Sequence, residues 1–517
     1  MRPRTGVAAF ATLMTTAGVL AAAAAGATAA HASTTSADGG RPGGPGFGQT
    51  RLIPGDLLVS TSHYVNGPNI VAGTTQLPPG CTGTNCVTAI ANGSYPQVFN
   101  NVTADASFGV VSPLSLDQIT PWGLPQGVIQ VPSSELNTSF SSKSEGALNL
   151  SPDGKYVTFI DYVAPVNAVD ASNANTPGVI DPTNPVPGAD YRAVAQLSEN
   201  GKFTFTETNA YSGNNGRAAV TATVDGKDYI YTAGNAGNGS NPQPTGVVLG
   251  AGTQIITPST LPEAAQTPGQ PTPVGSFSVT ELGDKADKVG KDDNFRGLTL
   301  YNNVLYYTKG SGSNGVNTVY FLDTTGTACP DGVGVPAAGA KLPTAGIEST
   351  LTSAGLASNM CVLKGFPTAL AKNATDASDY PFGLWFANPT TLYVADEGAG
   401  DNTYANGSYT AAAASTSAGL QKWVYNSTAG EWQLAYTLQS GLNLGDPYTV
   451  RGYPTGVNSV TGLPWAPATD GLRNLTGQVN RDGTVSIWAV TSTVSGGGDT
   501  GADPNKLVEI TDPLSAT

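Results

Sequence analysis

The sequence predicts an all-β fold assembled from repeated antiparallel sheets. Three observations predict it: the composition, a recurring strand–turn–strand segment, and the regular return of that segment along the chain. The 517 residues include 65 Gly and 37 Pro, and only 12% are charged. Val, Thr and Tyr fill the runs between turn residues, a composition suited to strands and loops and poorly suited to helices.

The segment occurs five times. It is "EGALNLSPDGKYVTFIDY" from Glu145, "RAAVTATVDGKDYIYTAG" from Arg217, "RGLTLYNNVLYYTKG" from Arg296, "FGLWFANPTTLYVADEG" from Phe382 and "RNLTGQVNRDGTVSIWAV" from Arg473. Each joins an alternating apolar strand, a turn of Asp-Gly, Asn-Asn or Asn-Pro type, and a second strand rich in Tyr, Val and Ile, which is hairpin grammar. Further strands follow in most units: "YRAVAQLSENGKFTFTET", "VNTVYFLD", "LQKWVYNSTAGEWQLAYTL" and "KLVEITD". Four antiparallel strands per unit make the blade of a β-propeller.

A partial unit precedes Glu145, with strands expected near Gly55–Tyr64, Tyr95–Val102 and Pro113–Thr120. Five units and this one give six blades. A seventh stays open if the stretch from Gly441 to Trp465 hides weak strands. The repeat heads lie 72 to 91 residues apart, against roughly 40–50 for an ordinary blade. The excess falls in Gly-, Asn- and Pro-rich loops. Strands from both chain ends would close such a ring and remove exposed sheet edges.

The N-terminus reads as an export signal over residues 1–32. Arg2 and Arg4 form a basic start, Val7 to Ala25 is apolar, and Ala30-His31-Ala32 fits a cleavage site. Residues 33–48, rich in Gly, Ser, Thr and Pro, read as a disordered leader, and residues 49–517 as the propeller domain. No later stretch is long and apolar enough to span a bilayer. The expected protein is a secreted, extracellular monomer. Its net charge of −14 becomes two units more negative on cleavage, which disfavours nucleic acid and anionic membranes as partners. The four cysteines fall in local pairs, so Cys81–Cys86 and Cys329–Cys361 disulfides are expected.

Aligned on the hairpin, the heads are Glu145, Arg217, Arg296, Phe382 and Arg473. In a propeller the first strand of each blade lines the central channel, so equivalent heads should ring one mouth. Arg217, Arg296 and Arg473, with Glu145, are therefore the candidate ligand-binding residues. Guanidinium groups hold carboxylate or phosphate through forked hydrogen bonds. The competing reading pairs each arginine with an acid such as Glu145, Asp292, Asp293 or Asp379, as staples between blades. The expected partner is a small anionic molecule or polysaccharide.

Other motifs are weaker. "ADEGAGDNT" places Asp396, Glu397 and Asp401 on one Gly-containing loop, an oxygen-rich set that would suit calcium (Ca2+), though its spacing fits no EF-hand and a solvated acidic turn is the favoured reading. Asp499 and Asp503 offer a similar pair. A Ser-His-Asp arrangement would have to use His63, and nothing in the sequence sets a nucleophile beside it. Tyr64, Trp385, Trp423, Trp465 and Trp488 could stack on sugars, but their strand positions favour core packing. Catalytic residues are unassigned from the sequence.

The ordered set "SEGALNLSPDGKY", "SGNNGRAAV", "FRGLTLYNN", "TLYVADEG" and "GLQKWVYN" resembles a family of secreted, functionally uncharacterised β-propeller proteins, over about residues 50–510. The resemblance implies the fold and export, and no reaction. A looser similarity, in "SEGAL" and "YVADEG", is to phytase-like propellers, in which strand-end acids hold calcium and basic residues hold phosphate. It implies, as alternatives to a binding protein, a calcium-dependent phosphoesterase. An enzyme degrading uronic-acid polysaccharides is the other alternative at an arginine-lined mouth.

Overall fold

The computed structural model describes residues 7–13, 52–63, 74–77, 87–88, 110–140, 145–168, 171, 190–208, 210–211, 215–234, 253–262, 275–276, 295–310, 315–329, 331–344, 360–371, 379–459, 461–497 and 503–517. Among these the larger sheets number six, and they follow one another in chain order. The first is three-stranded: Leu57–Ser62, Leu114–Ile119 and Pro125–Gln130. The second runs from Asn149–Leu150 through Tyr156–Val163 and Tyr191–Ser198 to Phe203–Thr208. The third comprises Gly216–Val224, Lys227–Gly234, Thr253–Ile256 and Gly275–Ser276.

The fourth begins with Leu298–Tyr301, Val304–Lys309 and Thr318–Leu322, then adds Met360–Leu363 and Val333–Gly334. The fifth is Pro381–Asn388, Thr391–Asp396, Gly419–Asn426 and Glu431–Leu438. The sixth is Ala468–Val479, Thr484–Val494 and Asn505–Pro513, with Val7–Leu13 added antiparallel on its outer edge. One short helix, Thr410–Ala414, is present among the described residues.

This is the six-bladed, all-β propeller architecture that the repeats predict, with two adjustments. The third strand of the first sheet is Pro125–Gln130, whereas the expected strand at Tyr95–Val102 lies outside the described residues. The stretch from Gly441 to Trp465 holds turns and isolated bridges and no seventh blade among its described residues. Both chain ends meet in the sixth sheet, through the very residues that read as an export signal.

Apolar side chains fill the spaces between neighbouring sheets. Leu114, Leu116 and Ile129 meet Phe159 and Ala193 between first and second. Ile160 and Val194 meet Ala219 and Ile230 between second and third. Val220 and Tyr231 face Leu305 and Tyr307, then Val319 and Phe321 face Leu392 and Trp423. Tyr393 and Leu420 face Ile487 and Val508 between fifth and sixth. Trp488 of the sixth sheet donates its indole N–H to the carbonyl of Pro121 in the first, at 2.8 Å. Period-2 strands suit this arrangement because each presents one face to each neighbouring sheet.

Glycine lets the repeat heads approach one another. A Cβ on Gly297 would lie 2.0 Å from the carbonyl oxygen of Phe382, and one on Gly383 would lie 2.6 Å from that of Arg473. Ala147 bridges Ala218 in parallel. Each head thus lies beside the head of the next sheet, as first strands do around a propeller axis.

Candidate functional site

The structure brings Arg217, Arg296, Arg473 and Glu145 into one electrostatic neighbourhood, and adds Glu397 to it. Arg217 and Arg473 are buried, while Arg296 and Glu145 keep part of their surface accessible. Arg217 donates from Nη1 to the carbonyl of Phe295 at 3.0 Å, across to the next sheet. Burial, then repulsion from Arg296, draws the Arg217 pKa well down, with Glu145 and Glu397 opposing. Burial also lowers that of Arg296, with Glu397 opposing and Arg473 adding to the fall. Arginine is so basic that these groups still carry their charge at neutral pH. The order of charge contact is therefore Glu145, Arg217, Arg296, Glu397 and Arg473.

Arg473 forms an ion pair within this group: its Nε lies 3.2 Å from Glu397 Oε2. Its guanidinium also lies over the Phe382 ring, 5.8 Å from the centroid. The fifth sheet thus supplies an aromatic head where its neighbours supply arginine, and that ring supports the next arginine. Of the acids proposed as staples, Asp292 and Asp293 lie outside the described residues, and Asp379 accepts instead from Gln421 at 3.1 Å.

Glu145 anchors a buried polar group that sequence reasoning missed. Its Oε1 accepts from the Tyr162 hydroxyl and from Asn215 Nδ2, and Asn215 also reaches the Tyr162 oxygen at 3.1 Å. Arg192 lies over the Tyr162 ring, 5.1 Å from its centroid. Burial raises the Glu145 pKa to about 7, against these two hydrogen bonds and the charges of Arg192 and Arg217. Asp161, on the same strand as Tyr162, is fully buried, and burial followed by the Glu145 charge pushes its carboxyl well up. The "SGNN" before Gly216 was the one visible signal, since Asn215 closes it.

The loop acids are directed to three different sets of partners. Asp396 is buried and accepts from the backbone N–H of Tyr380 at 2.7 Å and of Gly398 at 3.0 Å, and burial raises its pKa to about 7. Glu397 faces the arginines. Asp401 accepts from the N–H and hydroxyl of Thr403, at 2.8 and 2.6 Å, within its own turn. Their donors are protein groups, so the three do not form a shared calcium cradle. Asp499 lies outside the described residues, and buried Asp503 accepts from the Tyr453 hydroxyl at 2.5 Å.

Of the cysteines, Cys329 and Cys361 are bridged as expected; Cys81 and Cys86 lie outside the described residues. Asp323, Cys329 and Cys361 are the one cluster of potential metal-ligating side chains among the described residues, but those sulfurs are spent in the disulfide. His63 shares a 2.7 Å hydrogen bond with the Ser115 hydroxyl, which the sequence did not foretell. Ser115 is fully buried, and Asp117 contacts Ser115 and Thr61. A hydroxyl so enclosed is not presented to a substrate. Trp423 and Trp488 are buried in the core, Trp423 stacking on Phe366 with centroids 3.8 Å apart. Tyr64 lies outside the described residues.

No family model and no curated relative matches the chain. Similarity to solved structures is remote. The parainfluenza virus 5 hemagglutinin-neuraminidase ectodomain matches at 10% identity and a TM-score of 0.34, over 78% of this chain and 76% of that one. The Streptococcus pneumoniae NanB sialidase, in a mutant form, matches at 6% and 0.35, over 83% and 66%. A xylan β-1,4-xylosidase from Bacillus halodurans matches at 8% and 0.28, over 74% and 54%, so this chain spans about half its length. Likeness at this level decides nothing about activity.

Proposed function

We propose that this protein binds a small extracellular anion, the carboxylate or phosphate group of a carbohydrate or phosphorylated compound, where Arg217, Arg296 and Arg473 meet. The observation that supports it is the clustering itself. Arg217 and Arg296 repel each other, as do Arg296 and Arg473, and among the described residues Glu145 and Glu397 oppose that repulsion. Burial holds the Glu145 carboxyl up, toward its neutral form. The balance therefore favours a further negative group between the guanidinium groups, where their forked N–H geometry suits an oxyanion. Export to the extracellular space belongs to this reading and rests on the N-terminal sequence.

Sulfate titration of the full chain tests it. Arg296→Ala should weaken binding by about 1.5–3 kcal/mol, the scale of a charged hydrogen bond. A fall in stability with unchanged sulfate affinity would mean that Arg296 is a staple between sheets and nothing more.

A further inference from the structure

Three carboxylate oxygens at and next to Glu145 lack hydrogen-bond partners. They are both oxygens of Asp161 and Oε2 of Glu145, all shielded from solvent. Thr138 stands beside Asp161 and opposes the rise of its pKa. The other side of Glu145 is satisfied by Tyr162 and Asn215. The Glu145 charge acts on the Asp161 carboxyl, and burial desolvates both groups. Gly146, between them in the chain, has φ +68°, and the space where a Cβ would stand is bounded by Asp161 Oδ2 at 3.2 Å and Ser60 Oγ at 3.9 Å. The missing side chain brings the Asp161 carboxyl up against the turn that carries Glu145.

Two adjoining buried carboxyls cannot both stay ionised with unpaired oxygens, because each charge penalises the other. A single proton between them converts one orphan into a donor and another into its acceptor. We propose that Asp161 and Glu145 share one proton, and that an anion enters the arginine cluster together with that proton. This deepens the anion-binding reading and rests on it. The coupling runs through Arg217, whose charge interacts with Glu145 on one side and with Arg296 on the other. When the pair loses its proton, Glu145 neutralises Arg217 and competes with the incoming anion. When the pair is protonated, Arg217 is released toward Arg296 and the anion. By reciprocity, a bound anion raises the proton affinity of the pair.

The charged and titratable groups around the pair are Tyr162, Arg192 and Arg217, and Arg192 also faces Asp190, whose carboxyl burial raises to about 6. Asp396 titrates near 7 on the far side, beside Glu397. It is the group most able to imitate the effect, so the experiment includes it.

The full chain is titrated calorimetrically with sodium sulfate from pH 6 to 9, in two buffers of different ionisation enthalpy. Sulfate keeps a fixed charge over this range. The sulfate Kd should rise with pH, approaching about tenfold per unit above pH 7, the limit for one linked proton. The buffer comparison should show proton uptake approaching one per sulfate bound. Glu145→Gln should flatten the slope and hold the tight, low-pH affinity, while Asp396→Asn should leave the slope in place. Sulfate binding with a Kd constant across the range overturns the proton coupling alone, as does a slope that survives in Glu145→Gln. Absence of sulfate binding at every pH overturns the anion site itself. Should Glu145→Gln fail to fold, the two-buffer measurement on the unaltered chain decides.

Discussion

Lys422 and Asp512 form a fully buried ion pair that joins the fifth and sixth sheets, and its removal gives a sharp measure of how the sheets are held together. Lys422 Nζ lies 2.9 Å from Asp512 Oδ2, with side-chain exposures of 0% and 2%. The ammonium also donates to the Tyr436 hydroxyl at 3.1 Å and to the carbonyls of Pro513 and Leu514 at 2.7 and 3.1 Å. Asp512 accepts from the hydroxyls of Tyr393 and Tyr436 at 2.5 and 2.7 Å. Every strong donor and acceptor in the cluster is therefore matched. Asp512→Asn preserves shape but removes the negative charge and turns one acceptor into a donor. The ammonium is left desolvated without a counter-charge, and breaking a buried pair in this way costs about 3–5 kcal/mol. Urea unfolding followed by tryptophan fluorescence reads the loss, and Trp423 lies next to Lys422 to report it. A double variant, Lys422→Met with Asp512→Leu, should regain most of the stability, because an apolar pair carries no desolvation penalty. A loss below about 1 kcal/mol in Asp512→Asn would refute the argument, for it would mean that water or another anion reaches the ammonium.

Two further outcomes are expected. Glu397→Gln removes the acid paired with Arg473, so sulfate affinity should rise several-fold while the loss of one partly buried charged hydrogen bond costs about 1.5–3 kcal/mol of stability; unchanged affinity would place Glu397 outside the anion's field. Replacing both Cys329 and Cys361 by alanine opens a cross-link of sequence separation 32, and should lower stability by about 3–4 kcal/mol in urea while far-ultraviolet dichroism of the native state stays strand-dominated; a collapse of the spectrum would show that the fourth sheet needs the bridge to form.

The sheets were legible in the sequence because each hairpin carries its own turn chemistry. Asp225-Gly226 and Asn302-Asn303 adopt positive φ at the turns between paired strands, as Asp-Gly and Asn-Asn turns suggest. The heads were legible as a set because the hairpin alignment fixes their place on the first strand. Their surroundings were not. Asp161 and Tyr162 are consecutive in a run of strand residues, and no periodicity distinguishes a buried acid that faces another carboxyl from one that caps a turn. The loop "ADEG" shows the same limit. Asp396 and Glu397 are neighbours in sequence, yet one accepts backbone N–H groups inside the fifth sheet and the other pairs across to Arg473. The contact is 76 residues away in sequence, and only the curvature of successive sheets brings it near.

Staple and ligand site need not be opposed readings of these arginines. Arg217 spends one N–H on the Phe295 carbonyl, and Arg473 spends its Nε on Glu397 while its plane is supported by Phe382. Each guanidinium has five N–H donors, so the N–H groups that fix its position and those that meet an anion can be different ones. A flexible cationic side chain would lose conformational freedom on meeting an anion, and that loss weakens binding. A guanidinium already held by the neighbouring sheet has lost it during folding. The flanking arginines are thus locked by inter-sheet contacts, and Arg296 stands between them in the order of charge. Replacing any of the three removes a charge from the cluster, so binding and folding stability have to be read together in each variant.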